Sequence, residues 1–389
     1  MPKPQLPLST TLPPLICGTA TFNNLYNPSA FTLPTNAIIS SALSSGVRAF
    51  DTSPYYGPSE ELLGRALSQP AVVKSYPRES YHLITKVGRI ANAEFDYSPE
   101  WVRYSIQRSL QRLHTSYLDV VYCHDVEFVT PEEVLDAVRE LRRIRDTEGT
   151  IKYIGISGYP VPLLCDLAEL VLKETGEPLD AVMSYANFTL QNTTLASQGV
   201  ERLRKAGVSC VPNASILGMG LLRSVGVPVG GKGDFHPAPT ELRQRCLSAA
   251  KFVEGKGERL EVVSIRWGLD TWSREGAVLG GVGGIGVSVM GVSNLQELEE
   301  TMKVWNSVLD GLPVAGRAAE QGKREWSEKR RDEVQVLGKG VGDILGEWKD
   351  FAWPSPDEGY VNLRVVKGVI DEIAPLPAVK GDTSKISRL

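Results

Sequence analysis

Histidine and cysteine are scarce in this chain and show none of the usual metal-ligand spacings. Its 389 residues include four histidines and five cysteines, and neither H-E-x-x-H nor C-x-x-C occurs. We therefore predict no metal ion. The cysteines are odd in number, scattered and partly placed within apolar runs. This indicates buried free thiols in a reducing compartment rather than a disulfide framework.

A long apolar run and an excess of positive charge are also lacking. No segment approaches the length of a membrane span, and the N-terminus has no uninterrupted apolar segment of the kind found in signal peptides. With a formal net charge of −4, the chain offers no basic field for nucleic acid. We predict a cytoplasmic monomer that binds a small molecule, with neither a membrane nor a nucleic-acid partner.

The last three residues, Ser387-Arg388-Leu389, nearly match the S-K-L peroxisomal signal. A tripeptide of this kind arises easily by chance in a polar tail. Import into peroxisomes is therefore the alternative to a cytoplasmic location.

Short, continuously apolar runs alternate with helical patterns along most of the chain. Continuous apolarity is typical of strands that are covered on both faces, and capping signals such as Ser98-Pro99 and Thr130-Pro131 open the helices between them. Eight βα units predict an α/β fold, the (β/α)8 TIM barrel. The predicted strands are Leu15–Gly18, Ala49–Thr52, His82–Val87, Leu118–His124, Tyr153–Ser157, Ala181–Tyr185, Val208–Pro212 and Val287–Gly291.

The interval between the seventh and eighth predicted strands is unusually long. It contains a loop rich in glycine and proline, then helical patterns that start near Glu241 and Val262, which predicts a loop and helical insertion at this point. Beyond the barrel the composition becomes charged and then polar. The predicted parts are an N-terminal arm (1–14), the barrel (15–305), a C-terminal helical extension over the barrel (306–368) and a disordered tail (369–389).

Four residues of complementary chemistry fall at or just beyond the ends of three predicted strands. Asp51 ends an apolar run, Tyr56 follows five residues later, Lys86 lies one residue before the end of the next predicted strand, and His124 ends the one after. Catalytic residues of parallel barrels are found at these strand ends. Taken singly, each could be a turn cap, a loop aromatic, a solvated charge or a structural histidine. Their joint placement favours a shared catalytic site.

The chemistry of these four side chains is that of a proton-transfer device. An ammonium group near a phenol favours the phenolate and lowers the phenol pKa, and a carboxylate can hold that ammonium in place. A histidine beside the phenol can orient the reacting oxygen. The set predicts general acid/base catalysis at a carbonyl or hydroxyl group. Because no side chain transfers hydride, a nicotinamide cofactor is implied.

The segment from Gly46 to Gly64 resembles the aldo-keto reductase pattern G-x-x-x-[FL]-D-T-[AS]-x-x-Y-G-x-S-E-x-x-[LIV]-G, which is followed by a strand lysine and a strand histidine. The resemblance extends from about residue 15 to residue 305 and implies the same barrel. It also implies that Tyr56 transfers the proton within a tetrad completed by Asp51, Lys86 and His124.

Residues 213–222 are similar to the sugar 1-dehydrogenase branch of that family, which acts on D-arabinose or L-galactose. This likeness implies NAD-dependent oxidation of the anomeric hydroxyl of a free aldose, of the D-arabinose, L-galactose or L-fucose type, to the lactone. One alternative is an NADPH-dependent reductase of aldehydes or ketones, including pyridoxal-like substrates. A second is a non-catalytic cofactor-binding regulatory subunit, against which the intact tetrad argues.

The resemblance also implies where the ligands lie, with the dinucleotide across the C-terminal rim of the barrel. The chain departs from the family pattern at several of these positions. Gly158, Met183 and Ala214 occur where the family has an asparagine, a glutamine and a ring-stacking tyrosine. The implied substrate contacts are Phe22, Tyr56, His124, Phe128 and Phe188. The implied cofactor contacts are Gly18, Thr19, Asp51, Ser157, Ser215, Leu217, Gly291, Ser293, Glu297 and Glu300.

The choice between NAD and NADP turns on the segment after the last predicted strand. NADPH-preferring members of the family place lysine and arginine around the 2′-phosphate, but no arginine or lysine occurs between Gly291 and Glu300. A carboxylate such as Glu297 repels a phosphate and can accept a hydrogen bond from a ribose hydroxyl. We therefore predict NAD, with NADP as the alternative. The literal G-x-G-x-x-G at 281–286 precedes a strand and does not indicate a dinucleotide site.

Overall fold

A computed structural model describes residues 6–23, 29–228, 236–313 and 319–370. The strands within these ranges are β1 Leu15–Gly18, β2 Ala49–Asp51, β3 His82–Val87, β4 Arg89–Ala91, β5 Glu94–Phe95, β6 Leu118–His124, β7 Ile151–Gly158, β8 Ala181–Tyr185, β9 Asn213–Ala214 and β10 Ser288–Gly291. Eight of them are parallel and close a barrel in the order β1-β10-β9-β8-β7-β6-β3-β2, and β4 and β5 form an antiparallel hairpin that follows β3. The (β/α)8 prediction is thus confirmed.

Helices cover the outside of the barrel and begin where the capping signals predicted. The Ser98 side chain accepts a hydrogen bond from Trp101 N, and Thr130 forms a complete capping box with Glu133. The helices are α1 Thr35–Ser44, α2 Ser59–Leu67, α3 Pro70–Ser75, α4 Pro99–Arg112, α5 Pro131–Glu148, α6 Val161–Thr175, α7 Val200–Lys205, α8 Thr240–Glu254, α9 Leu260–Glu275, α10 Leu295–Asp310 and α11 Gln321–Leu345. The two helices predicted between the last two barrel strands are α8 and α9.

The barrel interior is packed with side chains and closed at its N-terminal end. Leu8 and Leu12 belong to the same buried cluster as interior residues such as Val120 and Tyr122. Room for the Tyr122 ring depends on Gly155 of the neighbouring strand, because a Cβ at that position would lie 2.8 Å from two atoms of the ring. The core is therefore solid below the catalytic end, as in other barrels of this type.

The seventh barrel strand is displaced from its predicted position. The prediction was Val208–Pro212, whereas β9 consists of Asn213 and Ala214, and Cys210 contributes only a single bridge to Ala181. Pro212 has no N–H group and cannot donate to a ladder. Hydrogen bonding towards β10 therefore starts after it, with Asn213 N donating to Val287 O.

After α11 the chain crosses the carboxyl end of the barrel as an extended segment, residues 346–370, which we call the C-terminal strap. α11 itself packs on α8 and α9 through a second core that includes Val334 and Leu345. The strap contacts the loops after β8, β7 and β6 in turn, and then the last residue of β5. These contacts are Gln191 with the Trp348 and Phe351 carbonyls, Tyr159 stacked on Trp353 at 4.6 Å, Glu127 with Ser355, and Phe95 with Asn362.

Several predictions concern the ends of the chain and its surroundings. α10 continues through the predicted boundary at 305/306 to Asp310, and the division into four parts stays a prediction. The signal-like tripeptide at 387–389 lies outside the described residues. In the part of the chain that the structure describes, no helix is long and apolar enough to cross a membrane, and no cluster of three potential metal ligands occurs.

Candidate active site

The predicted tetrad comes together at the carboxyl ends of three adjacent strands. Lys86 Nζ donates to Asp51 Oδ1 at 2.6 Å and to Thr52 O at 2.9 Å. It lies 4.9 Å from the centroid of the Tyr56 ring. The rings of Tyr56 and His124 are nearly perpendicular, with centroids 5.6 Å apart. The four side chains therefore form one contiguous group.

Burial makes the two charged members of the group depend on each other. Lys86 is 1% exposed and Asp51 is 4% exposed, and the second carboxylate oxygen, Asp51 Oδ2, is buried without a hydrogen bond from the described residues. Burial raises the pKa of Asp51, although the charge and the hydrogen bond of Lys86 act to lower it. Each charged group therefore needs the other, because either charge alone would be buried without compensation.

His124 is a neutral imidazole whose orientation is set by a serine that sequence reasoning missed. Burial, together with the charges of Lys86 and Arg89, lowers the His124 pKa to about 3, although Asp125 acts to raise it. His124 Nδ1 lies 3.0 Å from Ser53 Oγ, which also accepts a hydrogen bond from Tyr55 N. When the serine hydroxyl donates to Nδ1, the ring proton is on Nε2. This tautomer offers an N–H donor to a substrate oxygen.

An ion pair beside the tetrad was also missed. Arg89 is paired with Asp125, whose Oδ2 lies 3.6 Å from His124 Nε2. The available signal was weak, an aspartate that directly follows the histidine and an arginine three positions after the lysine. Only the barrel shows that the hairpin after β3 brings these two side chains together.

The cofactor positions implied by the resemblance lie at the same end of the barrel. Gly18 and Gly291 are register partners on β1 and β10, and a Cβ on Gly291 would lie 3.3 Å from Thr21 Cγ2. Thr19 Oγ1 donates to the Asp51 carbonyl at 3.0 Å. Asn213 Oδ1 is buried there without a hydrogen bond from the described residues. A rim lined by glycines, with an unused acceptor, fits an extended dinucleotide.

The other implied cofactor contacts lie at the end of β7 and after β9 and β10. Ser157 is buried, and its hydroxyl donates to the Cys123 carbonyl at 3.4 Å. Ser215 has a positive φ of 57°, and Leu217 directly precedes the short turn at Gly218–Gly220. Gly158 replaces the family asparagine, and a Cβ there would lie 2.5 Å from Glu127 Oε2. A residue larger than glycine at position 158 would therefore collide with the Glu127 carboxylate in its present place.

Glu297 occupies the start of α10, where a phosphate would otherwise find free N–H groups. Asn294 caps the helix by accepting from Glu297 N at 2.8 Å, and Glu297 Oε2 accepts from Ser293 N at 2.7 Å. Glu300 instead pairs with Arg259, whose Nη2 lies 3.3 Å from Glu300 Oε2. This arginine directly precedes α9 and so lies outside the segment from Gly291 to Glu300 on which the prediction of NAD rests.

The three phenylalanines predicted to contact substrate have different surroundings. Phe128 stacks on Phe95, with centroids 4.9 Å apart, and its ring lies 5.7 Å from the Arg89 guanidinium carbon. Phe22 is fully buried in the main core. Phe188 is fully buried as well, with its ring against the tryptophans of α9. Substrate contact stays a prediction for all three.

The aldo/keto reductase family model matches residues 14–344. The chain belongs to this family. It is 43% identical to a D-arabinose 1-dehydrogenase of Saccharomyces cerevisiae over 288 residues, which cover 74% of this chain and 81% of the relative. It is 31% identical to an L-galactose dehydrogenase of Arabidopsis thaliana over 282 residues, 70% and 83% of the two chains. As an aldo/keto reductase with named dehydrogenases as relatives, the protein is an oxidoreductase.

Among solved structures, a glycerol dehydrogenase of Gluconobacter oxydans has the same fold. It superposes with a TM-score of 0.58 over 90% of this chain and 96% of its own, at 21% identity. At this level of identity the likeness extends to the architecture alone. The barrel and the family are thus established, while the role of each site residue stays a prediction.

Proposed function

We propose that the protein is an NAD-dependent aldose 1-dehydrogenase that oxidises the anomeric hydroxyl of a free aldose, of the D-arabinose, L-galactose or L-fucose type, to the lactone. The observation that carries the proposal is Tyr56 placed between the buried Lys86–Asp51 pair and a neutral His124. The names of the two relatives, D-arabinose 1-dehydrogenase and L-galactose dehydrogenase, supply the substrate class.

Proton transfer in this proposal belongs to Tyr56. The Lys86 ammonium nitrogen lies 4.9 Å from the centroid of the Tyr56 ring, and a nearby positive charge favours the phenolate. Tyr56 then accepts the proton of the C1 hydroxyl as general base. His124 donates an Nε2 hydrogen bond to the same oxygen and holds it in place. A bound nicotinamide supplies the hydride acceptor.

The residues that would hold the dinucleotide are those of the glycine-lined rim and the start of α10. Gly18 and Gly291 lie side by side at the ends of β1 and β10, and Asn213 Oδ1 is a buried acceptor without a hydrogen bond from the described residues. Preference for NAD is supported by Glu297, whose carboxylate takes up the Ser293 N–H. A carboxylate at this position opposes a 2′-phosphate and suits a ribose hydroxyl.

One observation favours the alternative, an NADPH-dependent reductase of aldehydes or ketones. Glu300 lies one helical turn after Glu297, and Arg259 Nη2 is 3.3 Å from Glu300 Oε2. The Arg259 side chain is more than half exposed. Guanidinium groups pair well with phosphates. Arg259 is already paired with Glu300 and lies 3.7 Å from Glu261, which is why we favour NAD.

Purified protein is mixed with NAD or NADP and with D-arabinose, L-galactose or L-fucose, and reduced nicotinamide is followed by absorbance. We expect growth with NAD and at least one aldose. Tyr56→Phe should lower turnover by about 10²–10⁴-fold with cofactor affinity retained. Tyr153→Phe is the matched control, because its hydroxyl bonds to the Leu6 carbonyl at the opposite end of the barrel. NADPH consumption with a simple aldehyde, and no signal with NAD and any aldose, would establish the alternative.

A further inference from the structure

Arg89 and Asp125 form a charged pair at the edge of the tetrad that the proton-transfer scheme does not use. The two side chains are 14% and 5% exposed. Asp125 Oδ2 lies 3.6 Å from His124 Nε2, the nitrogen assigned above to the reacting oxygen. A group on the carbon next to the reacting carbon therefore falls within reach of the pair.

The pair also has unused hydrogen-bonding capacity. Asp125 Oδ1 accepts no hydrogen bond from the residues that the structure describes, and Arg89 Nη1, which donates to Asp125 Oδ2, has a second N–H without an acceptor among them. A carboxylate and a guanidinium group side by side offer an acceptor and a donor. A sugar hydroxyl is both a donor and an acceptor, so it can satisfy the two at once.

The surroundings hold Arg89 in one orientation. Its Nη2 donates to the Tyr55 hydroxyl at 3.0 Å, and its guanidinium carbon lies 3.8 Å from the centroid of the Tyr55 ring. Phe95 and Phe128 lie 5.4 and 5.7 Å away. Aromatic contacts on several sides restrict the guanidinium and exclude water, which strengthens the hydrogen bonds that it makes.

The backbone of Asp125 is also held in an unusual conformation. Its φ and ψ are 56° and 62°, in the left-handed region. Residues other than glycine are uncommon in this region, although aspartate adopts it more often than most. Such residues are enriched at functional sites when the surrounding structure holds them. Here the conformation turns the carboxylate from the end of β6 towards Arg89 and His124.

We propose that Arg89 and Asp125 bind the hydroxyl on the carbon adjacent to the reacting carbon, and so select α-hydroxy substrates such as aldoses over simple aldehydes and alcohols. Asp125 accepts the proton of this hydroxyl and Arg89 donates to its oxygen. The proposal deepens the proposed function and rests on it for the place of the reacting oxygen. It makes Arg89 and Asp125 determinants of specificity.

The test compares two aldehydes that differ only in this hydroxyl, 2-hydroxypropanal and propanal, reduced with whichever of NADH and NADPH supports turnover. We expect wild type to have the higher kcat/KM for 2-hydroxypropanal. Asp125→Asn should lower this kcat/KM by about 10- to 100-fold, the usual cost of losing a charge-assisted hydrogen bond. The value for propanal should change by less than about threefold. Arg89→Lys, which keeps the charge but loses the planar fork, should shift the ratio in the same direction.

Asp119→Asn is the matched control. Asp119 lies at the opposite end of the same strand and pairs with Arg78 at 2.7 Å, so this variant should keep the wild-type ratio. Equal losses on both aldehydes in Asp125→Asn would overturn the proposal and make Asp125 a positioning residue for His124. A wild type without preference would overturn it too. If aldose oxidation with NAD fails while the ratio depends on Asp125, the proposed function is wrong and the subsite stands.

Discussion

Removing the Lys86 side chain should destabilise the fold as well as abolish catalysis. Lys86 donates hydrogen bonds to Asp51 Oδ1 and Thr52 O, and both members of the ion pair are almost fully buried. Asp51 Oδ2 already lacks a partner among the described residues. Lys86→Met would therefore leave a buried carboxylate without compensation, and breaking such a pair costs about 3–5 kcal/mol.

Removing both charges separates stability from chemistry. In the double variant Asp51→Asn with Lys86→Met no charge remains buried, so we expect the loss in the free energy of unfolding to shrink to about 1–2 kcal/mol. Turnover should stay low in both variants, because the phenol loses its neighbouring ammonium group. The free energies come from urea unfolding followed by fluorescence and circular dichroism, whose transitions must coincide before a single value is assigned.

The matched control is Lys152→Met. Lys152 pairs with Asp119 at 2.8 Å, but its side chain is 45% exposed, and an exposed pair is worth about 0–1 kcal/mol. A loss below about 1 kcal/mol in Lys86→Met would refute the reasoning. A double variant less stable than the single variant would refute it as well, because the buried charge would then not be the cause.

Three further predictions concern pH, cofactor choice and the histidine tautomer. Burial, together with the charge of Asp125, raises the pKa of Glu127 to about 8. Because the folded state holds this proton more tightly than the unfolded chain does, the stability that Glu127 contributes is complete below the unfolded pKa and is lost as the pH rises towards the folded pKa. The free energy of unfolding should therefore fall by about 1.4 kcal/mol per pH unit between about pH 5 and 8. Glu127→Gln should remove that part of the slope. Glu297→Gln should raise the ratio of kcat/KM for NADP over that for NAD about fivefold, because one nearby like charge is worth about 1 kcal/mol. Glu300→Gln removes a carboxylate already paired with Arg259 and should change this ratio less. Nitrogen NMR should show His124 protonated on Nε2 in wild type and a mixture of tautomers in Ser53→Ala, and Nδ1 protonation in wild type would contradict the assignment.

The sequence by itself determined the barrel and the grouping of the tetrad. Continuously apolar runs are typical of strands covered on both faces, and eight of them separated by helical patterns predict a (β/α)8 barrel. Asp51 and His124 end such runs, Lys86 lies one residue before the end of its own run, and the ends of parallel strands meet at one rim. Their proximity follows from local pattern and topology together.

Other features depend on which loops meet, and local pattern carries no information about that. Ser53 bonds to His124 across 71 positions, and Arg89 meets Asp125 across 36. Arg259 approaches Glu300 because α9 and α10 pack side by side, and the sequence of the segment after β10 carries no sign of this cation. Long-range pairs of this kind arise from the packing of separate elements, so the tertiary structure alone decided them.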